Sequence, residues 1–170
     1  VTLVTDLPNS RRLAYVGVDN RAAGETAAYL IGAWLGGRRA DVLVTLSSNR
    51  FRGEEEREIG FRRALRENFP DLGIVDVSEG HGIDRATGEL VRTALTHHPD
   101  IAAVYSIGGG NASIVQAFAE LKRPCRVFVG HDLDADNLEL LRSRRISTVL
   151  HHDLRQDMRT ACIHVMRAQG

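Results

Sequence analysis

Hydrophobic and polar positions follow two periods along this chain, one typical of buried strands and one typical of amphipathic helices. Short apolar runs bounded by Gly, Asp or Pro predict strands at 1–5, 14–18, 42–46, 73–77, 101–105, 127–129 and 147–150. Apolar residues at i, i+3, i+4 and i+7 predict helices between them, among them 54–67, 84–97 and 134–144. Each helix therefore has one face to bury against the strands.

The strict alternation of strands and helices, joined by short connections, predicts an α/β fold with a doubly wound parallel sheet. In open sheets of this kind, ligands bind outside the carboxyl ends of the strands. The clearest strand end is at residues 126–133, where three apolar residues run into Gly130, His131 and Asp132. We therefore expect the functional site along this edge of the sheet.

Two helices have apolar stripes that predict which of their residues are buried. In the helix after the second strand, the stripe consists of Ala23, Ala27, Leu30, Ile31 and Trp34. In the last helix it consists of Met158, Ala161, Cys162, Val165 and Met166. The two cysteines, Cys125 and Cys162, lack a metal-like or CxxC spacing, so we expect reduced thiols packed in the core.

Composition excludes several classes of function. At 170 residues and 43% hydrophobic, the chain is long enough for one domain with a substantial core. The 22 basic and 22 acidic residues balance, so nothing marks the segment as a nucleic-acid binder. No apolar run approaches the roughly 20 residues needed to cross a bilayer, so we expect no membrane partner. The start, Val1 to Thr5, lacks an initiator Met and a signal-peptide layout, and we expect a piece of a longer chain.

The sequence contains no familiar catalytic signature. There is no GxSxG elbow, no HExxH pair and no Cys–His arrangement at a useful spacing. The run Gly108-Gly109-Gly110 is not a dinucleotide fingerprint, because Ser113 stands where the third Gly belongs. We therefore predict a binding protein and not an enzyme, with no cofactor and no metal ion.

Four motifs occur in an order and spacing that resemble the type I periplasmic-binding-protein fold over almost the whole chain. They are Asp19-Asn20-x-x-Ala23, Glu55-x-Arg57-x-x-Gly60-Phe61-x-x-Ala64-Leu65, His98-Pro99-Asp100-Ile101-x-Ala103-Val104 and Val129-Gly130-His131-Asp132. More narrowly, the sequence resembles the effector-sensing part of the lactose-repressor (LacI/GalR) family of bacterial transcription regulators.

This resemblance implies two subdomains joined by three crossovers, with a sugar or related small molecule bound in the cleft between them. Residues 1–18 would be the tail of the amino-terminal subdomain, 19–150 the carboxyl-terminal subdomain, and 151–170 a crossover and helix returning to the first. The DNA-binding head, most of the first subdomain and the last strand would lie outside this sequence. The implied protein is a cytoplasmic homodimer in which ligand binding reorients the subdomains and alters affinity for operator DNA.

Two acids match positions at which this family bonds sugar hydroxyls. Asp6 ends the first strand and Asp132 follows Val129-Gly130, and a carboxylate can accept two hydroxyl protons at once. The alternatives are a turn-initiating Asp ahead of Pro8 for Asp6, and a loop or helix-start acid for Asp132. On the resemblance, the ligand would bridge Asp6 on one subdomain to Asp132 and His151 near the other.

His151 falls where the family places a polar ligand contact at the third crossover, and an imidazole can both donate and accept. On a strand, His151 and His152 would point to opposite faces, which disfavours a shared zinc ion. The alternative is that Asp153 caps a helix and both histidines are solvated.

This sequence departs from the family at the usual place of an arginine that binds the sugar. Many sugar-binding relatives have an arginine five residues before the Gly-Phe pair, where this sequence has Glu55. Arg52 could supply the guanidinium from the loop 49–53, with Phe51 as an apolar wall for a sugar ring. The alternative is that Glu54, Glu55 and Glu56 complement a helix dipole and that the arginines are solvated.

Residues 108–111 lie at a further strand end where the family has a ligand contact. Glycine lets the backbone approach a ligand, which favours Gly109 or Gly110 as the contact. Asn111 could bond a hydroxyl, but its side chain is better suited to cap the next helix.

Two other functions stay open on the same scaffold. A periplasmic sugar-binding protein of an ABC transporter would share this site. A hydrolase or isomerase is the second, since fold does not fix function.

Overall fold

A computed structural model describes residues 1–7, 9–48, 51–78 and 84–169 of the chain. Pro8 and the Asn49-Arg50 part of the predicted loop lie outside the described residues. The strands are β1 (Thr2–Leu3), β2 (Tyr15–Val16), β3 (Ala40–Thr45), β4 (Leu72–Val77), β5 (Ile101–Ser106), β6 (Val127–His131) and β7 (Thr148–Leu150). The helices are α1 (Asn20–Leu35), α2 (Arg52–Asn68), α3 (Asp84–His97), α4 (Asn111–Glu120), α5 (Ala135–Arg142) and α6 (Leu154–Gln169).

The main sheet confirms the predicted α/β fold. It has five parallel strands in the order β4-β3-β5-β6-β7. The chain places β4 on one side of β3 and then β5, β6 and β7 on the other side, which is the reversal of strand order seen in a doubly wound sheet. All five strands therefore point their carboxyl ends to the same edge, where β6 ends at His131 and β7 at Leu150.

Helices cover both faces of this sheet. The inward residues of α1 and α2 pack with alternate residues of the strands, including Val42, Val44, Tyr105 and Val129. The inward residues of α3, α4 and α5 pack on the opposite face, against Leu43, Val104 and Phe128. The strands read as continuous apolar runs because both of their faces are buried.

Helices α1 and α2 approach each other backbone to backbone. A Cβ added at Gly24 would overlap the carbonyl oxygen of Arg57, and a Cβ added at Gly60 would overlap that of Arg21. The helix contact therefore requires glycine at both positions. It also fixes Arg57 beside the first turn of α1.

The buried stripe of α1 differs from the predicted one. Its buried residues include Gly24, Ala27, Ala28, Ile31, Gly32 and Leu35. The prediction was wrong at Trp34, whose side chain is 51% exposed. Small residues line the close contact with α2, and the large indole lies outside it.

A second, smaller sheet pairs β1 with β2 in parallel, and α6 contacts both strands. The predicted burial of α6 was wrong for most of its apolar stripe. Ala161 is buried, whereas Met158, Cys162, Val165 and Met166 are exposed. In the described part of the chain α6 packs mainly against the short strands β1 and β2, and this two-stranded sheet is too small to cover the whole apolar stripe. The core prediction for the thiols thus fails at Cys162, and Cys125 is half-buried.

Among the described helices, none has the length and the apolar character required to cross a bilayer.

Candidate functional site

A cavity of about 220 Å³ opens beside the carboxyl ends of β6 and β7. The start of α1 forms one wall, and the segments after β6 and β7 form the other. The polar side chains that line it belong to Asp19, Arg57, His131, Asp132, His151 and His152. Pockets for drug-sized ligands measure roughly 300–1,000 Å³, so this cavity suits a smaller polar molecule.

A larger cavity of about 470 Å³ lies at the opposite edge of the sheet. It is lined by Arg39, Asp41, Asp71 and Asp100, near the amino ends of β3, β4 and β5. Ligands of open α/β sheets bind at the carboxyl ends of the strands. The smaller cavity is therefore the better candidate site, despite its volume.

Asp132 lies at the rim of the cavity in an unusual backbone conformation. Its φ of 64° is in the left-handed region, which non-glycine residues seldom adopt. Its N–H donates to the Leu150 carbonyl at 3.0 Å, so β7 holds one side of the residue. Its exposed carboxylate has no hydrogen-bond or ionic partner among the described residues. Strained residues cluster at functional sites, which fits a carboxylate held out for a ligand.

A buried amide pair holds the other side of Asp132. Asn137 Nδ2 donates to the carbonyl oxygens of His131 at 3.0 Å and Asp132 at 2.7 Å. Asn111 Nδ2 donates to Asn137 Oδ1 at 2.7 Å. Because two carbonyls require the amino group of Asn137 to face them, its orientation follows from the network. We call these two residues the asparagine clamp.

Arg57 supplies the positive charge of the cavity from the second turn of α2. Its Nε donates to Asn20 Oδ1 at 2.8 Å, and Asn20 is buried at the start of α1. No carboxylate pairs with this guanidinium within the described part of the chain. Its remaining N–H groups are therefore available to an acceptor in the cavity.

His131 forms the floor of the cavity and is neutral. Its side chain is 6% exposed, and burial, with the charges of Arg57 and His152, lowers the pKa of His131 to about 3. Its Nε2 lies 2.9 Å from the hydroxyl of Tyr105. Burial raises the pKa of that phenol, so both groups are uncharged at neutral pH.

His151 and His152 both line the cavity, and neither lies on a strand as the prediction of opposite faces assumed. Strand β7 ends at Leu150, and the alternation of side chains does not extend past it. The Nδ1 of His151 accepts from the Leu133 N–H at 3.4 Å, and His152 Nδ1 lies 2.5 Å from Asp157 Oδ2. Across the described residues, no group of three potential metal ligands converges here or elsewhere.

The sequence matches the periplasmic binding protein domain family over residues 1–169. The chain belongs to this family. No curated protein matches the sequence.

Three solved structures are similar to this family member. GanP, a glucose-galactose binding protein from Geobacillus stearothermophilus, is 25% identical with a TM-score of 0.82; the match covers 91% of this chain and 55% of that one. A carbohydrate transporter solute binding protein from Agrobacterium radiobacter, in complex with D-arabinose, is 22% identical with a TM-score of 0.84; the match covers 99% of this chain and 59% of that one. The fructose binding periplasmic domain of a hybrid two-component system is 22% identical with a TM-score of 0.85; the match covers 98% of this chain and 57% of that one. The chain thus spans less than two thirds of each structure.

Within this periplasmic-binding-protein domain, the structure brings Asp132 and His151 together and keeps Asp6 and Arg52 away. The Asp6 carboxylate is paired with Arg12, with contacts of 2.6 and 2.7 Å, and also accepts from Thr2 and Leu7. Arg52 begins α2 and pairs with Glu56 at 3.0 Å. Neither residue lines the cavity. Their ligand roles stay predictions that this geometry does not support.

The glycine-rich segment also lies outside the cavity. Gly109 is exposed, with φ of 86°. The N-cap of α4 is Gly110, which wholly lacks a side chain, so the capping expectation for Asn111 was wrong. Asn111 is instead buried and turned to Asn137 in the asparagine clamp. By contrast, Asp153 does cap α6, since its Oδ1 accepts from the N–H groups of Arg155 and Gln156.

Sequence reasoning missed Arg57 and His131 as members of the site. The signal for Arg57 was present, because it stands three residues before Gly60 and faces α1 through the glycine contact. The departure at Glu55 therefore does not remove a guanidinium from the cavity. His131 was hidden by its place within an apolar strand end, where a histidine is easily taken for a core residue.

Proposed function

We propose that this chain is the sugar-recognising part of a solute-binding protein that serves carbohydrate uptake. The observation that carries the proposal is that Asp132 and Arg57 line the same small cavity, each without an ionic partner among the described residues. A sugar hydroxyl can donate to the carboxylate and accept from the guanidinium, and charge-assisted hydrogen bonds of this kind are the strong ones. The neutral imidazole of His131, which lines the same cavity, adds a contact that needs no counter-charge.

The described neighbours support a transport or sensing role over the regulator expected from the sequence. The first is a glucose-galactose binding protein, the second is the solute binding protein of a carbohydrate transporter, and the third is the periplasmic domain of a two-component system. The features that belong to the regulator, namely operator DNA, a homodimer and a cytoplasmic location, stay predictions without support here. All three neighbours are binding proteins, which also favours binding over hydrolase or isomerase chemistry.

A thermal-shift screen of the full-length protein tests the ligand class. The panel contains neutral pentoses and hexoses, sugar phosphates, and amino acids as an unrelated group. A ligand at 100 times its Kd stabilises the native state by about 2.7 kcal/mol. We expect a rise in Tm with one or more neutral monosaccharides. A rise with amino acids alone, or with none of the panel, would contradict the proposal.

Cell fractionation separates the transport role from the regulator. An antibody against the chain is used to locate the protein in cytoplasmic and extracytoplasmic fractions. We expect it outside the cytoplasm, where a solute-binding protein meets its sugar. Recovery with the cytoplasmic fraction, together with retention on genomic DNA, would favour the regulator.

A further inference from the structure

We infer that His131 is a ligand-recognising residue of the cavity that presents its Nδ1–H as a donor, and that Tyr105 fixes this tautomer. His131 would then donate to a sugar oxygen, and Tyr105 would be a positioning residue that acts through it. The inference deepens the proposed function, because the claim that the acceptor is a sugar oxygen rests on that function. The assignment of the tautomer does not rest on it.

Burial of the Tyr105 hydroxyl decides the direction of the Tyr105–His131 hydrogen bond. The Tyr105 side chain is fully buried, and its hydroxyl has His131 Nε2, at 2.9 Å, as its hydrogen-bond partner among the described residues. If Nε2 carried the proton, the phenolic O–H would be left as a buried donor without an acceptor, which is costly. The hydroxyl therefore donates to Nε2.

The direction of this hydrogen bond decides which nitrogen of His131 carries the proton. A neutral imidazole that accepts at Nε2 carries its proton on Nδ1. The proton is held there by the rigid environment of Tyr105, whose ring packs 4.6 Å from that of Phe61 and 5.6 Å from that of His131. The tautomer is thus set from behind the cavity wall.

The Nδ1 of His131 is not used by any other group of the described residues and has no hydrogen-bond partner among them. Among those residues, Asn111 Oδ1 is the only completely buried side-chain nitrogen or oxygen atom that lacks a partner. Nδ1 is therefore not completely sealed from solvent, and the residue that carries it lines the cavity. An unpaired donor in a nearly buried ring suits an acceptor oxygen of a ligand.

The neighbouring charges define what the ligand must offer. Arg57 and the His131 Nδ1–H both donate, whereas the carboxylate of Asp132 accepts. The site therefore requires at least two acceptor oxygens and one hydroxyl donor. A monosaccharide, in which each hydroxyl does both and the ring oxygen only accepts, meets this pattern.

The tautomer is tested by long-range 1H–15N correlation spectra of the full-length protein labelled with 15N-histidine, without ligand. His131 is assigned from its absence in His131→Asn. We expect the Nδ1–H form in the wild type and a shift towards the Nε2–H form in Tyr105→Phe. Tyr29→Phe, which removes an exposed hydroxyl, is the control and should change nothing. A wild-type Nε2–H form, or a tautomer unmoved by Tyr105→Phe, would overturn the inference.

The recognition role is tested by titrating D-galactose and D-arabinose into the same samples and into two variants. In His131→Asn the amide nitrogen takes the place of Nδ1 and keeps a donor, whereas His131→Leu removes it. We expect the bound sugar to shift the Nδ1 resonance, His131→Asn to bind within a few fold of wild type, and His131→Leu to lose about tenfold or more. A sugar that binds without moving Nδ1 would overturn the role of His131 alone. If neither sugar binds, the recognition role of His131 for these sugars is overturned, whereas the proposed function is contradicted only when the whole thermal-shift panel also gives no sugar hit; the tautomer result stands separately.

Discussion

At the scale of single residues, the site depends on one strained position and one buried ring. Asp132 was predictable, because a lone acid after an apolar strand and Gly130 marks a strand end in this fold. The left-handed conformation of Asp132 was not predictable, because the residue is held by hydrogen bonds to Leu150 and Asn137, which the sequence pattern does not reveal. Arg57 and His131 were equally hidden, because their places depend on which helix and which strand become neighbours.

Replacing Asp132 by Gly should stabilise the protein and abolish strong ligand binding. Glycine adopts φ of 64° without strain, so we expect the free energy of unfolding to rise by up to about 1 kcal/mol. Loss of the carboxylate should weaken ligand binding at least tenfold. Urea unfolding measures the first quantity and calorimetric titration the second.

The matched control is Asp136→Gly in the first turn of α5, where glycine costs a few tenths of a kcal/mol. That variant should be slightly less stable and bind normally. Equal losses of stability in both variants would mean that Asp132 is not strained.

The buried ring of His131 makes stability depend on pH. In the unfolded chain a histidine binds a proton below about pH 6.5, whereas folded His131 stays neutral down to about pH 3. The unfolded state therefore binds more protons in this window, and stability falls as the pH falls through it. The slope due to this residue is about 1.4 kcal/mol per pH unit.

Unfolding of wild type and His131→Leu at several values between pH 4 and 7 measures this slope. We expect a flatter profile in His131→Leu, and His97→Leu on the exposed side of α3 controls for loss of an imidazole. Parallel profiles for wild type and His131→Leu would contradict the neutral, buried state.

At the scale of elements, the pattern of the sequence predicted nearly every helix and strand, because most helices bury one face against the main sheet and the central strands of that sheet are buried on both faces. It failed where packing is unusual. In α1 the close contact with α2 selects glycine and alanine over Trp34. In α6 the apolar stripe is exposed, because the pattern gives no information on how much surface is available to cover it.

Gly60→Ala tests the contact that carries Arg57. The new Cβ would meet the Arg21 carbonyl, and overpacking of this kind costs about 1–3 kcal/mol. Because the helices must separate, sugar affinity should also fall. Gly88→Ala in α3 is the matched control: its Cβ would lie 3.3 Å from Ser113 Cβ and 3.5 Å from Arg92 Nη1, a much milder contact than the one at Gly60, so it should cost much less stability. An equally mild effect at Gly60 would show that the helix contact is looser than described.

Asn137→Ala tests the asparagine clamp between α4, α5 and the end of β6. It leaves the carbonyls of His131 and Asp132 without their donor, and we expect a loss of about 2–3 kcal/mol in stability. Affinity for sugar should fall as Asp132 loses its fixed position. Asn68→Ala, which removes a single bond to the Ala64 carbonyl, should cost about 1 kcal/mol and leave affinity unchanged. If affinity in Asn137→Ala is normal, the clamp has only a structural role.

At the scale of the whole molecule, the topology explains why these residues meet. Parallel strands bring their carboxyl ends to one edge, and the segments after β2 and β7, which connect the two sheets, add Asp19 and His151 to the same cavity. The central claim is that this cavity binds a neutral monosaccharide through Arg57 and Asp132.

The most direct test is calorimetric titration of the best sugar from the thermal-shift panel into the full-length wild type, Arg57→Ala and Arg66→Ala. Arg66 is an exposed arginine in the last turn of α2, so its variant controls for loss of charge. We predict saturable 1:1 binding by the wild type and Arg66→Ala, and at least a tenfold weaker Kd for Arg57→Ala. Wild-type affinity in Arg57→Ala would place the sugar elsewhere and contradict the account.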